Sequence, residues 1–260
     1  LAEKYNIEYI DISEKTINDS AFEDLNHIIH LAGAGIADKR WSEKRKKEII
    51  ASRVASTNLL YNTVKRLKTP LDSFISASAT GYYGAITSET IFEEKDKPAK
   101  DFLGKVCSLW EDSIFQFNEI KIRTVALRTG IVLSKDGGAL KKMKTPIITS
   151  LGNGKQYMPW IHIDDLCELY IKAIEDQEFK GAFNAVSSEH ISNLSFSKKV
   201  SKIFNHPFLA VGTPSFILQI VFGEMSTIIL NGSRISANKI KQAGFKFKFE
   251  NLEKALKNLR

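Results

Sequence analysis

The stretch SASATGYYG, residues 76–84, follows an apolar run and ends in turn residues, which puts Ser78 close to the end of a strand. A lone serine hydroxyl is a weak acid and a poor nucleophile, so chemistry at Ser78 needs a partner at a definite spacing. One group able to move a proton is His162, which stands with Trp160, Asp164 and Asp165 in PWIHIDDL at a strand-to-helix junction. The competing reading is that His162 and the aspartates only cap and brace that junction, with Asp164 as the cap. Lys135, Lys141, Lys142, Lys144 and Lys155 gather in one loop-like region and would attract a phosphorylated or carboxylated substrate, unless they form a plain solvated face. Only Cys107 and Cys167 are present, with no CxxC and no Cys/His cluster at ligand spacing, so neither a metal site nor a disulfide framework is expected.

The elements that must carry these groups alternate in type. IEYIDI (7–12), HIIHLAG (27–33), LDSFISAS (71–78), IRTVALR (122–128) and AFNAVS (182–187) read as strands. Between them, Ile49, Ile50, Val54, Leu60, Val64 and Leu67 recur at helical spacing within 42–67, and Leu103, Val106, Trp110, Ile114 and Phe117 mark a second amphipathic helix. DDLCELYIKAIED (164–176) and SNLSFSKKVSKIF (192–204) are further helices, with two short ones in the tail. Strands alternating with helices of this length imply an α/β parallel sheet covered on both faces. Residues 134–160, rich in Gly and Lys and without a sustained period, read as a loop-built substrate region. SFILQIVFG (215–223) is too short to span a membrane and reads as a buried helix.

The 260-residue length suits one sizeable α/β domain with a small appended lobe. The net charge of +7 is spread over helix faces, which argues against nucleic acid as a partner. No membrane span is indicated, and the expected location is cytoplasmic. The chain opens at Leu1 on a strand-like segment with neither an initiator Met nor a signal-peptide pattern, which suggests sequence upstream.

HLAGAGIADKRW, SASATGYYG, VCSLWE, RTGIVLSKDGGAL, GKQYMPWIHIDDL, GAFNAVS and ISANKIKQAGFKF, in this order, resemble the atypical extended short-chain dehydrogenase/reductases. Within them the NAD-dependent epimerase/dehydratase-like group, with its cell-division-inhibitor-like branch, is the nearest in pattern. The resemblance implies a Rossmann-type doubly wound parallel sheet, here lacking its N-terminal strands, that binds NAD or NADP at the carboxyl ends of its strands. It also implies a small C-terminal substrate lobe. Residues 1–133 and 160–190 would form the dinucleotide domain, and 134–159 with 191–260 the lobe. By position, Asp11 and Ile12 would lie near the adenine, and Leu31, Ala32 and Gly33 beneath the ribose and pyrophosphate. Ser76 would touch the cofactor, and Arg128, Thr129, Gly130 and Ile131 would border the nicotinamide.

Two departures from the family pattern stand out. GAGIAD (33–38) imitates a glycine fingerprint but lacks its third glycine and any strand ending in a ribose-binding acid about 20 residues on. The true glycine turn would then precede Leu1, making this chain a fragment whose sheet falls into two halves with unpaired inner edges. The second departure concerns the family's Tyr-x-x-x-Lys pair, which works with the serine at the Ser78 position. Cys107 stands where the tyrosine would be and Glu111 where the lysine would be, four residues apart on one helix face. A carboxylate raises a neighbour's pKa where an ammonium would lower it. Candidate catalytic groups are therefore Ser78, Cys107 and Glu111. Tyr82 and Tyr83 could supply the missing phenol and join Lys155, Trp160 and His162 on the substrate side. Arg53 replaces a structural asparagine. The expected function is NAD(P)-dependent epimerase or oxidoreductase chemistry on a small, nucleotide-linked substrate, with a homodimer left open. The alternatives are a catalytically silent Rossmann scaffold with a binding or regulatory role, or a nonfunctional remnant.

Overall fold

The computed structural model describes residues 6–8 and 17–260. The predicted strand 7–12, with Asp11 and Ile12, falls largely outside these residues. From the N-terminal side the order is β1 (His27–His30), α1 (Glu43–Leu67), β2 (Ser73–Ala79), β3 (Ile91–Phe92), α2 (Phe102–Phe115), β4 (Arg123–Thr129) and β5 (Ile131–Leu133). There follow α3 (Gly138–Met143), β6 (Ile148–Leu151), β7 (Trp160–His162), α4 (Ile163–Glu175), β8 (Gly181–Ala185) and α5 (Asn193–Phe204). The chain ends with β9 (Phe208–Thr213), α6 (Ser215–Phe222), α7 (Thr227–Leu230), β10 (Arg234–Ile235), α8 (Asn238–Gln242) and α9 (Leu252–Asn258).

The main sheet is wholly parallel, in the order β1-β2-β4-β8. Each crossover carries a helix, as parallel pairing requires. Its described strands make one contiguous sheet, and the predicted strand 7–12, which would belong to the other half of the sheet expected from the sequence, lies largely outside the described residues. Ser42 caps α1, its hydroxyl accepting from Arg45 N at 3.2 Å, and Lys68 in left-handed geometry ends it. The Asp101 carboxylate does the same for α2, accepting from Gly104 N at 2.8 Å.

Two apolar layers follow from the strand alternation. Phe74 and Ala126 face α1 and α2, packing with Leu60, Val64, Trp110, Ile114 and Phe117. The Phe74 and Phe117 rings stack at 3.9 Å. On the opposite face Ile75, Val125 and Leu127 meet Leu166 and Leu169 of α4 and Ile240 of α8. Each such side chain contributes about 1.5–3 kcal/mol on burial. A third core joins Leu133, Leu140, Trp160, Phe196, Leu252 and Leu256 in the C-terminal part.

Long-range ties close the molecule. β3 pairs with β10, Ser233 Oγ donates to Ile86 O at 2.5 Å, and Lys46 of α1 meets Glu224 at 2.6 Å. Two local expectations are corrected. Residues 134–159 contain α3 and β6, whose partners β5 and β9 lie elsewhere in the sequence, so no local period announces them. The 215–223 segment is a helix but is not buried: among its apolar residues in α6, Leu218 packs inward while Phe216, Ile220 and Val221 are 61%, 70% and 52% exposed. Among the described residues no helix is long and apolar enough to cross a membrane.

Candidate functional site

The register of the sheet builds the site. Ser78 on β2 pairs with Arg128 on β4, and Arg128 pairs with Asn184 on β8, so three polar residues form one row at the carboxyl ends of parallel strands. The same alternation that sends Phe74 and Ala126 toward α2 sends Ser78 and Arg128 there too. From α2, one turn beyond Cys107, Glu111 meets them. Its Oε1 accepts from Ser78 Oγ at 2.7 Å and from Arg128 Nε at 2.8 Å, and its Oε2 accepts from Arg128 Nη2 at 2.8 Å. The pair is bidentate and buried, Glu111 being 4% and Arg128 3% exposed.

The network continues on the other side of the guanidinium. Arg128 Nη1 donates to the Tyr83 hydroxyl at 2.9 Å and to Glu94 O at 3.1 Å. The Tyr83 hydroxyl donates to Asn184 Oδ1 at 2.6 Å, and Asn184 Nδ2 donates to Ser236 O at 3.1 Å. The Tyr82 ring covers the assembly, its centroid 3.4 Å from Arg128 Cζ. Tyr82 alone among Ser78, Tyr82, Tyr83, Glu111 and Arg128 is only half-buried. Burial opposes the charge of Arg128, but the hydrogen bonds and charge of Glu111 outweigh it and hold the guanidinium above the ordinary arginine value. Burial raises both tyrosine hydroxyls, with Arg128 partly offsetting it.

Cys107 is buried beside this cluster, with Gly81 close to its sulfur. Burial, reinforced by the Glu111 charge, pushes its thiol up to about 12 against the opposing pull of Arg53 and Arg128. A thiol so held is not a thiolate near neutral pH, which removes the species that would act as base or nucleophile. Ser76 is spent within the strand pair: its hydroxyl lies 3.1 Å from His30 Nδ1, whose Nε2 lies 2.9 Å from Ser56 Oγ. Burial and then Arg53 lower the His30 pKa to about 4.

The strand ends around the row are accessible or tightly turned. Leu31 is 63% exposed and Gly33 is also exposed, at the tip of β1. Thr129, Gly130 and Ile131 form a corner in which Gly130 N donates to Ala185 O and Ile131 N to Pro159 O. A Cβ at Gly130 would lie 2.5 Å from Pro159 O, so only glycine fits there. The segment after β1 is clamped by α1 and by the residue before its cap: Arg53 Nη1 donates to Ala34 O and Arg45 Nη2 to Gly35 O from α1, and Trp41 Nε1 donates to Ile36 O. Arg53 is thus partly buried and structural in its contacts, with its guanidinium 4.9 Å from the Trp110 ring centroid.

A nicotinamide dinucleotide fits part of this surface. The tips of β1, β2 and β4 line the carboxyl edge where open α/β sheets hold ligands. A glycine turn running straight into a helix N-terminus, the usual pyrophosphate holder, is not found among the described residues. GAGIAD does not run into α1, whose first residue is Glu43.

Other expected residues lie apart from the row. His162 is 1% exposed, its Nδ1 accepts from Asp164 N at 3.1 Å, and its ring stacks on Phe249 at 3.9 Å. His162, and not Asp164, is therefore the side-chain cap of α4. Trp160 is fully buried in the C-terminal core, and Lys155 is exposed. Asp165 accepts from Lys248 N and Phe249 N. Among the described residues no group of three or more His, Cys, Asp or Glu could hold a metal ion. Sequence reasoning missed Asn184 and Glu94. An asparagine inside the apolar run AFNAVS was a usable signal, since buried polar groups in strands have partners, whereas Glu94 carried none.

Comparison with known proteins agrees with this architecture. The NAD dependent epimerase/dehydratase family model matches residues 1–104, and a domain of unknown function, DUF1731, matches 213–259. An epimerase family protein of Staphylococcus aureus (strain NCTC 8325 / PS 47) is 32% identical over 257 residues, covering 97% of this chain and 85% of that protein. The crystal structure of isoform 2 of a human epimerase family protein with NADPH superposes with a TM-score of 0.81 at 26% identity, over 93% of this chain and 85% of that one. A nucleoside-diphosphate sugar epimerase from Corynebacterium glutamicum gives 0.73, also at 26% identity, over 93% and 47%. With an α/β parallel sheet of Rossmann type and a relative this similar along nearly its whole length, the chain belongs to the epimerase family.

Proposed function

We propose that this protein binds NAD or NADP and acts as an oxidoreductase or epimerase on a small polar or nucleotide-linked substrate, with Ser78, Glu111 and Arg128 as the floor of the reaction site and Tyr82 as its proton donor. The observation that carries this reading is the Ser78–Arg128–Asn184 row at the carboxyl edge of a parallel sheet, with one accessible phenol lying over it. The nicotinamide, when bound, supplies hydride chemistry. Leu31, Ala32, Gly33 and the Thr129–Ile131 corner would border it.

The side chains have distinct parts. Both oxygens of Glu111 already accept hydrogen bonds, so Glu111 orients Ser78 and Arg128 instead of taking a proton from substrate. Ser78 directs its proton to Glu111 and leaves its lone pairs toward a substrate hydroxyl. Tyr82 keeps its proton near neutral pH because burial raises its pKa. That suits it to give the proton to the oxygen of a carbonyl being reduced, the phenolate being reprotonated from solvent. The competing reading is a cofactor-binding scaffold without turnover, favoured by the complete occupation of Glu111 by Arg128 and Ser78.

The test titrates NADH and NADPH against the full-length protein by fluorescence, then follows nicotinamide oxidation with nucleoside-diphosphate sugars and small carbonyl compounds. Binding with turnover that falls about 100-fold or more in Tyr82→Phe supports the proposal. Binding without turnover favours the scaffold, and failure to bind either cofactor overturns both.

A further inference from the structure

The stretch from Ile203 to Ser233 departs from the rest of the chain. Although 26% of the whole sequence is charged, this stretch has Glu224 as its single Asp, Glu, Lys or Arg, and Glu224 is paired with Lys46. Within it, β9 and α6 follow each other directly, joined by Pro214. Their apolar side chains stand outward: Leu209 53%, Val211 71%, Phe216 61%, Ile217 40%, Ile220 70% and Val221 52% exposed. β9 hydrogen-bonds to β6 along one edge, and among the described residues no strand pairs with its other edge. An open strand edge beside an uncharged apolar helix is a surface that soluble proteins ordinarily cover.

We propose that β9 and α6 form the interface between two copies of this chain, the free β9 edges pairing antiparallel about a two-fold axis with the α6 faces packed beside them. Three observations favour a second copy over other occupants. A two-fold axis sets residues near it against their own kind, which charged residues oppose and an uncharged patch permits. A helix lying on an anionic membrane surface carries Lys or Arg on its polar face, and none occurs between Lys202 and Arg234. The six exposed side chains offer on the order of 600 Å² per copy, so roughly 1,200 Å² across the pair, which reaches the lower bound of specific interfaces. Pairing of the strand edges would add to this.

The full-length protein is examined by sedimentation velocity over a hundredfold concentration range, alongside Val211→Lys and Ile220→Glu. A wild-type dimer that both substitutions convert to monomer is the expected result. A wild type that stays monomeric throughout, including one that instead sediments with phosphatidylglycerol vesicles, overturns the proposal, as do variants that dimerise like wild type. Hydrogen exchange on the wild type gives a readout independent of the variants. Amides of residues 208–213 should exchange more slowly in the wild-type dimer than after dilution to a concentration at which it dissociates, or than in Ile220→Glu if it does not, and equal exchange there in dimer and monomer overturns the pairing.

Discussion

Two regions of this molecule invert the usual distribution of polarity. Beneath the carboxyl edge of the sheet an arginine and a glutamate are buried to 3% and 4% exposure, while along β9 and α6 Val211 and Ile220 stand at 71% and 70%. The buried charges are fully partnered within the chain: Glu111, the Tyr83 hydroxyl and the Glu94 carbonyl accept from Arg128, and Ser78 donates to Glu111. The exposed apolar side chains have no such internal partners on their outer side. An inversion satisfied from within points to a preorganised site, whereas one left unsatisfied points outward, to something the chain meets. Neither region is held for stability. A buried ion pair is often no better than apolar side chains of the same volume, and an exposed apolar face contributes nothing to folding.

That contrast can be broken by substitution. The largest effect is expected for Arg128→Met, which strands the Glu111 carboxylate in the interior and should cost about 3–5 kcal/mol in urea unfolding. Glu111→Lys, which places a lysine at the position of the family's lysine, should do at least as much harm because it sets an ammonium against the Arg128 guanidinium. The double replacement Arg128→Met with Glu111→Leu should recover most of the stability, and a double variant as unstable as Arg128→Met would show that the pair itself stabilises the fold.

Next in size is the acid response of His30. Its folded pKa of about 4 lies below the ordinary 6.5, so the neutral ring is the native form and protonation favours unfolding. Stability should be full above pH 6.5 and fall by roughly 3 kcal/mol as pH drops from 6.5 to about 4, then level off as regards this group. Unfolding midpoints measured across that range should lose this slope in His30→Gln.

Tyr83→Phe removes one hydroxyl that serves both Arg128 and Asn184 and should cost about 1–3 kcal/mol, read from the same urea curves. Smallest is Ile220→Glu, which should leave stability within about 0.5 kcal/mol of wild type. A loss of several kcal/mol there would mean that the α6 face is part of the monomer's own core, and the contrast would fail.

Much of this was legible in the sequence where local pattern and tertiary environment agree. The 3.6-residue spacing in 42–67 marked α1, and Leu103, Val106, Trp110, Ile114 and Phe117 marked α2 and its buried face. β6 and β9 were not legible, because each is defined by the other across the 56 residues that separate Leu151 from Phe208 and carries no apolar alternation of its own. The apolar run 215–223 misled for a physical reason: hydrophobicity says that a segment wants cover and says nothing of whether the same chain provides it. In the site, Ser78 and Glu111 were visible as residue types, but their engagement by Arg128 depends on strand register, which the sequence does not state. Asn184 was a missed opportunity, being a polar residue in an apolar strand.

The tie between residue 86 and residue 233 also bears on how the chain is made. Ser233 and Ile86 are 147 positions apart, and β3 must wait for β10 before it has a neighbour. During synthesis the loop that follows β2, including Tyr82 and Tyr83, therefore emerges from the ribosome long before the strand that anchors its far end exists. Such distant closure slows the final step of folding. The loop over the candidate site is thus anchored last, and a polypeptide released before residue 235 would carry Ser78, Glu111, Arg128 and Asn184 but lack the β10 strand that pairs with β3 at the far end of the tyrosine loop.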